Sequence, residues 1–247
     1  MRRFIVEKEQ IRGRTATLVG PEARHMVHVL RLGVGDTVEL VDNRGNTYTA
    51  DIEAIDGGRI TLSVGEAQGA PRESPIRITF AQALLKDRKM DTLIRQLTEL
   101  GVTRWMPFPA ERSVPRPDAE RFKKRVARWG KIALGALKQC RRNHPPSIEP
   151  QASYTAVLDA AVTSNVKVIF SETAREPLAG RGAASERIES VFLLVGPEGG
   201  FTPREIAAAR SLGFDPVSLG PRILRAETAS VAACALIQHI YGDLGRK

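Results

Sequence analysis

The chain has 247 residues, 42% of them hydrophobic, which is enough for one large or two small globular cores and excludes a disordered protein. Its 37 Lys and Arg exceed its 28 Asp and Glu, a net charge of +9 that favours a polyanionic partner over an acidic small substrate. The two cysteines, Cys140 and Cys234, lie far apart without a CxxC pair, so we expect no disulfide framework and no zinc site in a cytoplasmic protein.

The apolar segments predict neither secretion nor membrane insertion. Residues 1–4 begin like a signal peptide, but charged residues 7–9 stand where its apolar core would be required. The longest uncharged, mostly apolar tract, residues 228–237, is shorter than the roughly 20 residues of a membrane-spanning helix.

Residues 1–70 have the pattern of a small β-barrel. Short, β-branched and roughly alternating segments are separated by turn sequences, and they occupy residues 14–19, 37–41, 47–55 and 59–64.

Residues 21–32 of the same domain show helical spacing. Because no Cys accompanies His25 and His28, we expect no metal there. The helix presents Arg24, His25 and Arg31, which are either RNA contacts or part of a solvated face.

The second domain, residues 71–247, follows a Pro- and Gly-containing linker at 66–75. Residues 76–84 and 104–108 have the pattern of strands, and apolar residues at helical spacing over 89–100 predict a helix between them. This is a βαβ unit, which is typical of a parallel sheet.

Residues 112–142 carry eleven basic residues and two acidic ones, while apolar residues recur at helical spacing. The pattern predicts a long amphipathic helix whose basic face either follows an RNA backbone or only keeps the protein soluble. The RNA-contact candidates in the second domain are Arg88, Arg112, Lys124, Arg128 and Arg142.

The C-terminal part alternates strands, loops and helices. Strands are predicted at 166–170, 191–195 and 215–219, with a glycine turn at 196–200 and a second loop at 220–225. Thr202 as N-cap, Pro203 and Glu205 predict a helix from there to about residue 212, and a second helix is expected at 227–241. Because loops after parallel strands lie at one edge of the sheet, we expect them to line one pocket.

The glycine turn lacks the residues of a phosphate-binding loop and the spacing of the dinucleotide fingerprint. Glu198 would repel phosphate, but its carboxylate can accept hydrogen bonds from hydroxyls or face a cation. A ligand with a ribose, a purine and a positive centre therefore fits better than ATP. The alternative is that the turn only joins a strand to a helix.

GPEGGFT at 196–202 and LGPRILRAETA at 219–229 resemble the C-terminal signature of the 16S ribosomal RNA uracil-N3 methyltransferases, a family of the SPOUT class. RHMVHVLR, KDRKMDTLIRQLTELGV and RWGKIALGALKQCRRNHPPSI are also similar to family segments, so the resemblance covers most of the chain.

The resemblance implies an α/β fold in which a SPOUT-type, trefoil-knotted, mostly parallel sheet has helices on both faces and follows a small N-terminal PUA-like RNA-binding β-barrel. It also implies S-adenosylmethionine as cofactor, a homodimer, no metal, no membrane, and 16S ribosomal RNA or the small ribosomal subunit as partner. The acceptor would be N3 of a uracil, uracil 1498 in the family's name.

Carried over by position, the resemblance places the cofactor in three loops that follow strands. The implied cofactor-binding residues are Ser171, Glu172, Thr173, Leu194, Gly196, Pro197, Glu198, Gly199, Ser218, Leu219, Gly220, Ile223, Leu224 and Arg225. Arg225 is also our candidate catalytic residue, because a guanidinium can stabilise the negative charge on the uracil oxygens when N3 loses its proton. The alternative is that Arg225 pairs with Glu198 or Glu227 and only shapes its loop.

Two other functions compete with methyl transfer. A non-catalytic RNA-binding assembly factor on the same fold would bind RNA but no cofactor. A nucleotide-binding α/β enzyme acting on a small acidic metabolite would make the basic helix incidental, and the missing phosphate motif disfavours it.

Overall fold

A computed structural model of the protein describes residues 1–69, 73–178 and 187–245. They form two compact units, Met1–Glu73 with Leu137–His144, and Ser74–Ala136 with Pro145–Lys247. The predicted domain boundary lies between residues 70 and 71, and the first unit differs from that prediction by also including residues 137–144.

The first unit is a six-stranded sheet curled around one core. Its strands are β1 (Arg2–Val6), β2 (Ile11–Arg12), β3 (Thr15–Leu18), β4 (Thr37–Asp42), β5 (Thr47–Asp56) and β6 (Arg59–Val64). They are ordered β1-β4-β5-β6-β3-β2, with β1 parallel to β4 and the other pairs antiparallel. Alternate side chains such as Phe4, Leu40 and Leu62 fill the core.

The predicted helix at 21–32 is shorter and less regular than expected. Helix α1 (Pro21–Arg24) continues as a π-helical turn at His25–Val29, in which the Leu30 N–H donates to the His25 carbonyl at 3.0 Å. Met26 of this turn is buried in the core, whereas His28 of the turn and Arg24 of α1 lie at the surface.

The second unit is built on a six-stranded sheet in which every pair is parallel. Its strands are β7 (Arg77–Ala83), β8 (Arg104–Phe108), β9 (Ser147–Ile148), β10 (Val166–Phe170), β11 (Ser190–Val195) and β12 (Asp215–Val217). Their order is β12-β10-β11-β7-β8-β9. The central strands are apolar on both sides because helices cover both faces.

The helices divide between the two faces of this sheet. They are α2 (Lys89–Glu99), α3 (Ala119–Cys140), α4 (Tyr154–Asp159), α5 (Pro203–Ser211) and α6 (Ala226–Ile240). Helices α2, α3 and α6 share one core with Phe80 and Leu193, whereas α4 and α5 share another with Phe192 and Leu194. The predicted α/β fold class is confirmed by this architecture.

Helix α3 begins at Ala119, seven residues after the predicted start of the basic segment. Pro115 and Pro117 restrict the backbone before it, and Asp118 accepts a hydrogen bond from the Arg121 N–H at 2.7 Å, which caps the first turn. Its apolar face carries Trp129, whose ring packs edge-on against Trp105 with 4.9 Å between centroids.

In the described part of the chain, no helix combines the length and apolar character that crossing a bilayer requires. The same residues contain no group of three or more His, Cys, Asp or Glu side chains able to hold a metal ion.

Candidate functional site

A cavity of about 470 Å³ opens where three neighbouring parallel strands end. The pairing places Phe170 of β10 beside both Val195 of β11 and Val217 of β12, so the three strands finish level with one another. Ser171, Gly196 and Ser218 are therefore the first residues of three adjacent loops. This is the edge of an open parallel sheet at which ligands bind.

The structure brings together most of the residues that the sequence analysis assigned to the cofactor. Those that line the cavity are Ser171, Glu172, Thr173, Gly196, Pro197, Glu198, Ser218, Leu219, Gly220, Ile223 and Leu224. Leu194 and Gly199 do not line the cavity. Leu194 is buried in the core, and Gly199 lies against the side chain of Arg112. Arg225 lies between the lining residues Leu224 and Ala226 but does not itself line the cavity.

Helix α5 forms a further wall that the sequence analysis missed. Pro203, Ile206, Ala207 and Arg210 all line the cavity, and their spacing of three, four and seven residues places them on one face of the helix. The helix is fixed at its start by the predicted capping box, in which Thr202 Oγ1 accepts from the Glu205 N–H at 3.2 Å and Glu205 Oε2 accepts from the Thr202 N–H at 2.9 Å.

Arg112, an RNA-contact candidate in the sequence analysis, lies at the cavity. Its Nη1 donates to the carbonyl oxygen of Gly199 at 3.0 Å, which ties the loop after β8 to the glycine turn. The signal that could have found it is its position after a parallel strand, because loops after such strands share one edge of the sheet.

Glu198 is held by a backbone N–H and an ammonium group of the segment that leads into α2. Its Oε1 accepts from the Lys86 N–H at 3.1 Å and from Lys89 Nζ at 3.1 Å. Burial opposes its ionisation, but the backbone N–H groups of Glu198 and Lys86 together with the Lys89 ammonium outweigh burial, so the pKa of Glu198 lies below its ordinary value. A carboxylate with a lowered pKa is a poor proton acceptor, which disfavours Glu198 as a general base.

Arg225 stands at the N-cap of α6 with an exposed side chain. Its two anticipated ion-pair partners, Glu198 and Glu227, both bind Lys89 instead, at 3.1 and 3.2 Å. Among the residues that the structure describes, the Arg225 guanidinium has no ion-pair or hydrogen-bond partner. It is therefore available to a ligand.

Apart from Arg112 and Arg142, the RNA-contact candidates fall into three groups by their surroundings. Arg24, Arg31, Arg88 and Lys124 are exposed. Arg128 is exposed but pairs with Asp91, and His25 is half-buried with its ring 6.2 Å from that of Phe4.

Arg142 requires a correction. It is 4% exposed, and its Nη2 donates to Glu73 Oε2 at 2.8 Å within the first unit. A guanidinium that is buried against a carboxylate cannot reach an RNA phosphate, so Arg142 is not retained as an RNA contact.

Gly196 is expected to be essential to the shape of the cavity. A Cβ atom there would lie 3.2 Å from Phe201 Cδ2 and 3.4 Å from the backbone carbon of Gly200, and Phe201 is itself buried in the lining. Because such overpacking costs about 1 to 3 kcal/mol, which the site would recover only by displacing Phe201, Gly196→Val should weaken cofactor binding by a factor between about 5 and about 150 in calorimetry.

Gly33→Val is the matched control for that substitution, since a Cβ atom at Gly33 meets no atom within 4 Å and its backbone needs no positive φ. Equal cofactor affinity in the two variants would show that Gly196 does not shape the binding site.

Comparison with known proteins assigns both units to families. The RNA methyltransferase domain family matches residues 72–238, and the RNA methyltransferase PUA domain family matches residues 18–65. The chain is 31% identical to ribosomal RNA small subunit methyltransferase E of Bacillus subtilis, over 97% of this chain and 96% of the relative. It is 33% identical to the protein of that name from Synechocystis, over 95% of this chain and 76% of the relative.

Solved structures agree with these matches. The ribosomal RNA small subunit methyltransferase E of Neisseria gonorrhoeae bound to S-adenosyl methionine superimposes with a TM-score of 0.88 and 34% identity, covering 98% of this chain and 99% of that one. A putative methyltransferase from Legionella pneumophila in complex with the same cofactor gives a TM-score of 0.88 and 30% identity, with 98% of both chains covered. The resemblance found in the sequence is thereby confirmed, and the chain belongs to the ribosomal RNA small subunit methyltransferase E family.

Proposed function

We propose that the protein transfers a methyl group from S-adenosylmethionine to N3 of a uridine in 16S ribosomal RNA. The observation that carries the proposal is the cavity at the level ends of β10, β11 and β12, whose three loops contain the signature residues of the family. Relatives with 30% and 34% identity have been solved with this cofactor bound.

The residues of the cavity fit this cofactor. A volume of about 470 Å³ lies in the range of small-molecule sites. Phe170, Val217 and Leu219 offer apolar walls for an adenine ring, while Glu172 offers a carboxylate for hydroxyl groups or positive charge. Arg112 and Arg210 offer guanidinium groups for the carboxylate of the methionine moiety.

The loops would hold the cofactor by both side chains and backbone. Ser171 to Thr173 and Ser218 to Leu224 would contact the nucleoside, and Gly196 leaves the space that a side chain would take. When bound, S-adenosylmethionine supplies an electrophilic methyl group on a positively charged sulfur.

Arg225 is our candidate for stabilising the acceptor. N3 of uracil carries a proton at neutral pH, and its loss spreads negative charge onto the ring oxygens. A guanidinium beside the cavity that no carboxylate of the described residues neutralises is suited to that charge.

The target base has to leave its helix for this reaction. N3 belongs to the Watson–Crick edge, so the uridine must be unpaired or flipped before it can enter the cavity. In the second unit, exposed cations of α3 such as Lys123, Lys124 and Lys131 would contact the RNA backbone, and Arg24 and Arg31 would do so in the first unit.

This basic face predicts a measurable salt dependence. Replacing Lys123, Lys124 and Lys131 together by Gln should weaken RNA binding and reduce the slope of log affinity against log salt by about 0.7 for each lost phosphate contact. Lys167→Gln is the control, because its ammonium binds the Leu212 carbonyl within its own part of the fold. An unchanged slope in the triple variant would assign α3 a solubilising role instead.

We also propose a homodimer with the cofactor near the subunit interface. Ile223 lines the cavity yet is 82% exposed, and Leu236 on α6 is 41% exposed, so a second subunit would bury both. Sedimentation equilibrium at micromolar concentration tests this, and a monomer would contradict it.

The proposed activity is tested by incubating the purified protein with methyl-labelled cofactor and unmodified small-subunit RNA or particles, followed by nuclease digestion and mass spectrometry. The label is expected in 3-methyluridine. A label in any other nucleoside contradicts the N3 assignment, whereas RNA binding without cofactor binding identifies a non-catalytic assembly factor.

A further inference from the structure

Lys89, the first residue of α2, joins two segments that are distant in sequence. Its Nζ lies 3.1 Å from Glu198 Oε1 in the glycine turn and 3.2 Å from Glu227 Oε2 in the first turn of α6. The two carboxylate oxygens therefore lie no farther apart than the sum of these distances, 6.3 Å. Without a cation between them, two like charges at this separation would repel each other.

The Glu227 carboxylate depends strongly on this contact. Its Oε2 is shielded from solvent and has no hydrogen-bond partner of good geometry among the described residues, while Lys89 Nζ is the cation beside it. A charge in such a position is costly unless it is compensated. Removal of the ammonium would leave the Glu198 and Glu227 carboxylates facing each other without the cation that lies between them.

Both carboxylates belong to segments that line the cofactor cavity, although Glu227 itself does not line it. Glu198 lines the cavity, and Ala226 and Ala229 on either side of Glu227 line it as well. The Lys89 ammonium thus connects the glycine turn to the start of α6, where Arg225 is the N-cap. Any separation of these two segments would change the width of the cavity and displace Arg225.

The charge on Lys89 persists at neutral pH. The hydrogen bond to Glu198 outweighs the effect of burial, and with Glu227 it raises the pKa of Lys89 above its ordinary value. Since both carboxylates already engage the ammonium, Lys89 is poorly placed to act as an RNA phosphate contact.

We propose that Lys89 is a positioning residue of the cofactor site, whose ammonium holds the glycine turn and the first turn of α6 at the separation that cofactor binding requires. The inference rests on the proposed function, because it assigns Lys89 a role toward the same cofactor. If Lys89 acted only in RNA binding or in general stability, removing one of the two negative charges would not restore cofactor affinity after Lys89 is lost. A positioning role predicts that it does.

The test is a double-mutant cycle read out by calorimetric titration of the full-length protein with S-adenosylmethionine. Lys89→Met should raise the dissociation constant at least about tenfold, because the two carboxylates repel. Adding Glu227→Gln to Lys89→Met should restore the dissociation constant to within about threefold of the unmodified protein, since a neutral amide removes the repulsion. Lys89→Arg should remain within about threefold, because a guanidinium can bind both carboxylates.

Arg95→Met is the matched control, as it removes an exposed positive charge from the same helix at a residue outside the cavity. Unchanged affinity in Lys89→Met, or no recovery in the double variant, would overturn the inference. If Lys89→Met does not fold, the dissociation constant of Lys89→Arg is compared with that of the unmodified protein. A large loss of cofactor affinity in Lys89→Arg would then overturn the inference. Failure of the proposed function would appear differently, as an absence of cofactor binding in the unmodified protein.

Discussion

Replacing Arg225 by alanine is expected to lower the rate of methyl transfer about 100-fold while the dissociation constant of S-adenosylmethionine changes less than about threefold. The expected loss corresponds to about 3 kcal/mol, the effect of removing one donor from a site where negative charge develops. The physical reason is that Glu198 and Glu227 bind Lys89, which leaves the Arg225 guanidinium without a competing carboxylate among the described residues. Single-turnover kinetics with saturating cofactor measures the rate, and calorimetry measures the affinity.

Arg204→Ala provides the control for that variant. Arg204 is exposed on α5 and does not line the cavity, so the substitution removes the same charge and the same side-chain volume elsewhere. Equal losses of rate and cofactor affinity in Arg225→Ala would assign the residue to cofactor binding. No loss of rate would remove it from the mechanism.

Replacing Arg142 by methionine is expected to lower the free energy of unfolding of the first unit by about 3 kcal/mol. Glu73 receives hydrogen bonds from Arg142 Nε at 3.0 Å and Nη2 at 2.8 Å, and Arg142 is buried. Breaking a buried ion pair on one side leaves its partner uncompensated. Urea denaturation at pH 7 measures the change, and Arg141→Met at the adjacent exposed arginine is the control.

The same pair predicts how stability depends on pH. Burial opposes ionisation of Glu73, but Arg142 and the backbone N–H groups of His144 and Asn143 outweigh it and lower the pKa of Glu73 below 4.5. The stabilisation is therefore present above pH 4.5 and is lost as the pH falls through the lowered pKa. The difference in stability between the unmodified protein and Arg142→Met should shrink below that pH, and a constant difference would contradict the pair's role.

The elements best predicted from the sequence are those specified by local signals. The capping box of Thr202 and Glu205 fixes the start of α5, and the glycine turn fixes the end of β11. The general rule for parallel sheets then placed the loops at Ser171, Gly196 and Ser218 at one edge.

What the sequence did not predict depends on tertiary contacts. Lys89 and Glu198 are 109 residues apart, and no local pattern indicates that one ammonium would meet two carboxylates. The same holds for Arg142. Its place in the basic segment predicted an RNA contact, but its guanidinium binds Glu73 within the first unit. The trefoil knot implied by the family resemblance also lies outside the general connection rules, which predict unknotted chains.

Arg112 and Arg210 illustrate a third kind of omission. Both line the cavity, but one follows a strand whose loop carried no glycine signature, and the other projects from a helix whose orientation only the fold determines. The position of Arg112 after a predicted strand was the one available signal, whereas Arg210 became informative only once the fold was known.

The most direct test of the account is an experimental structure of the protein with S-adenosylmethionine or its demethylated product bound. We expect density for the ligand between the loops that begin at Ser171, Gly196 and Ser218, with Arg225 directed toward the methyl position. Density for the cofactor elsewhere on the protein, with that cavity vacant, would contradict it.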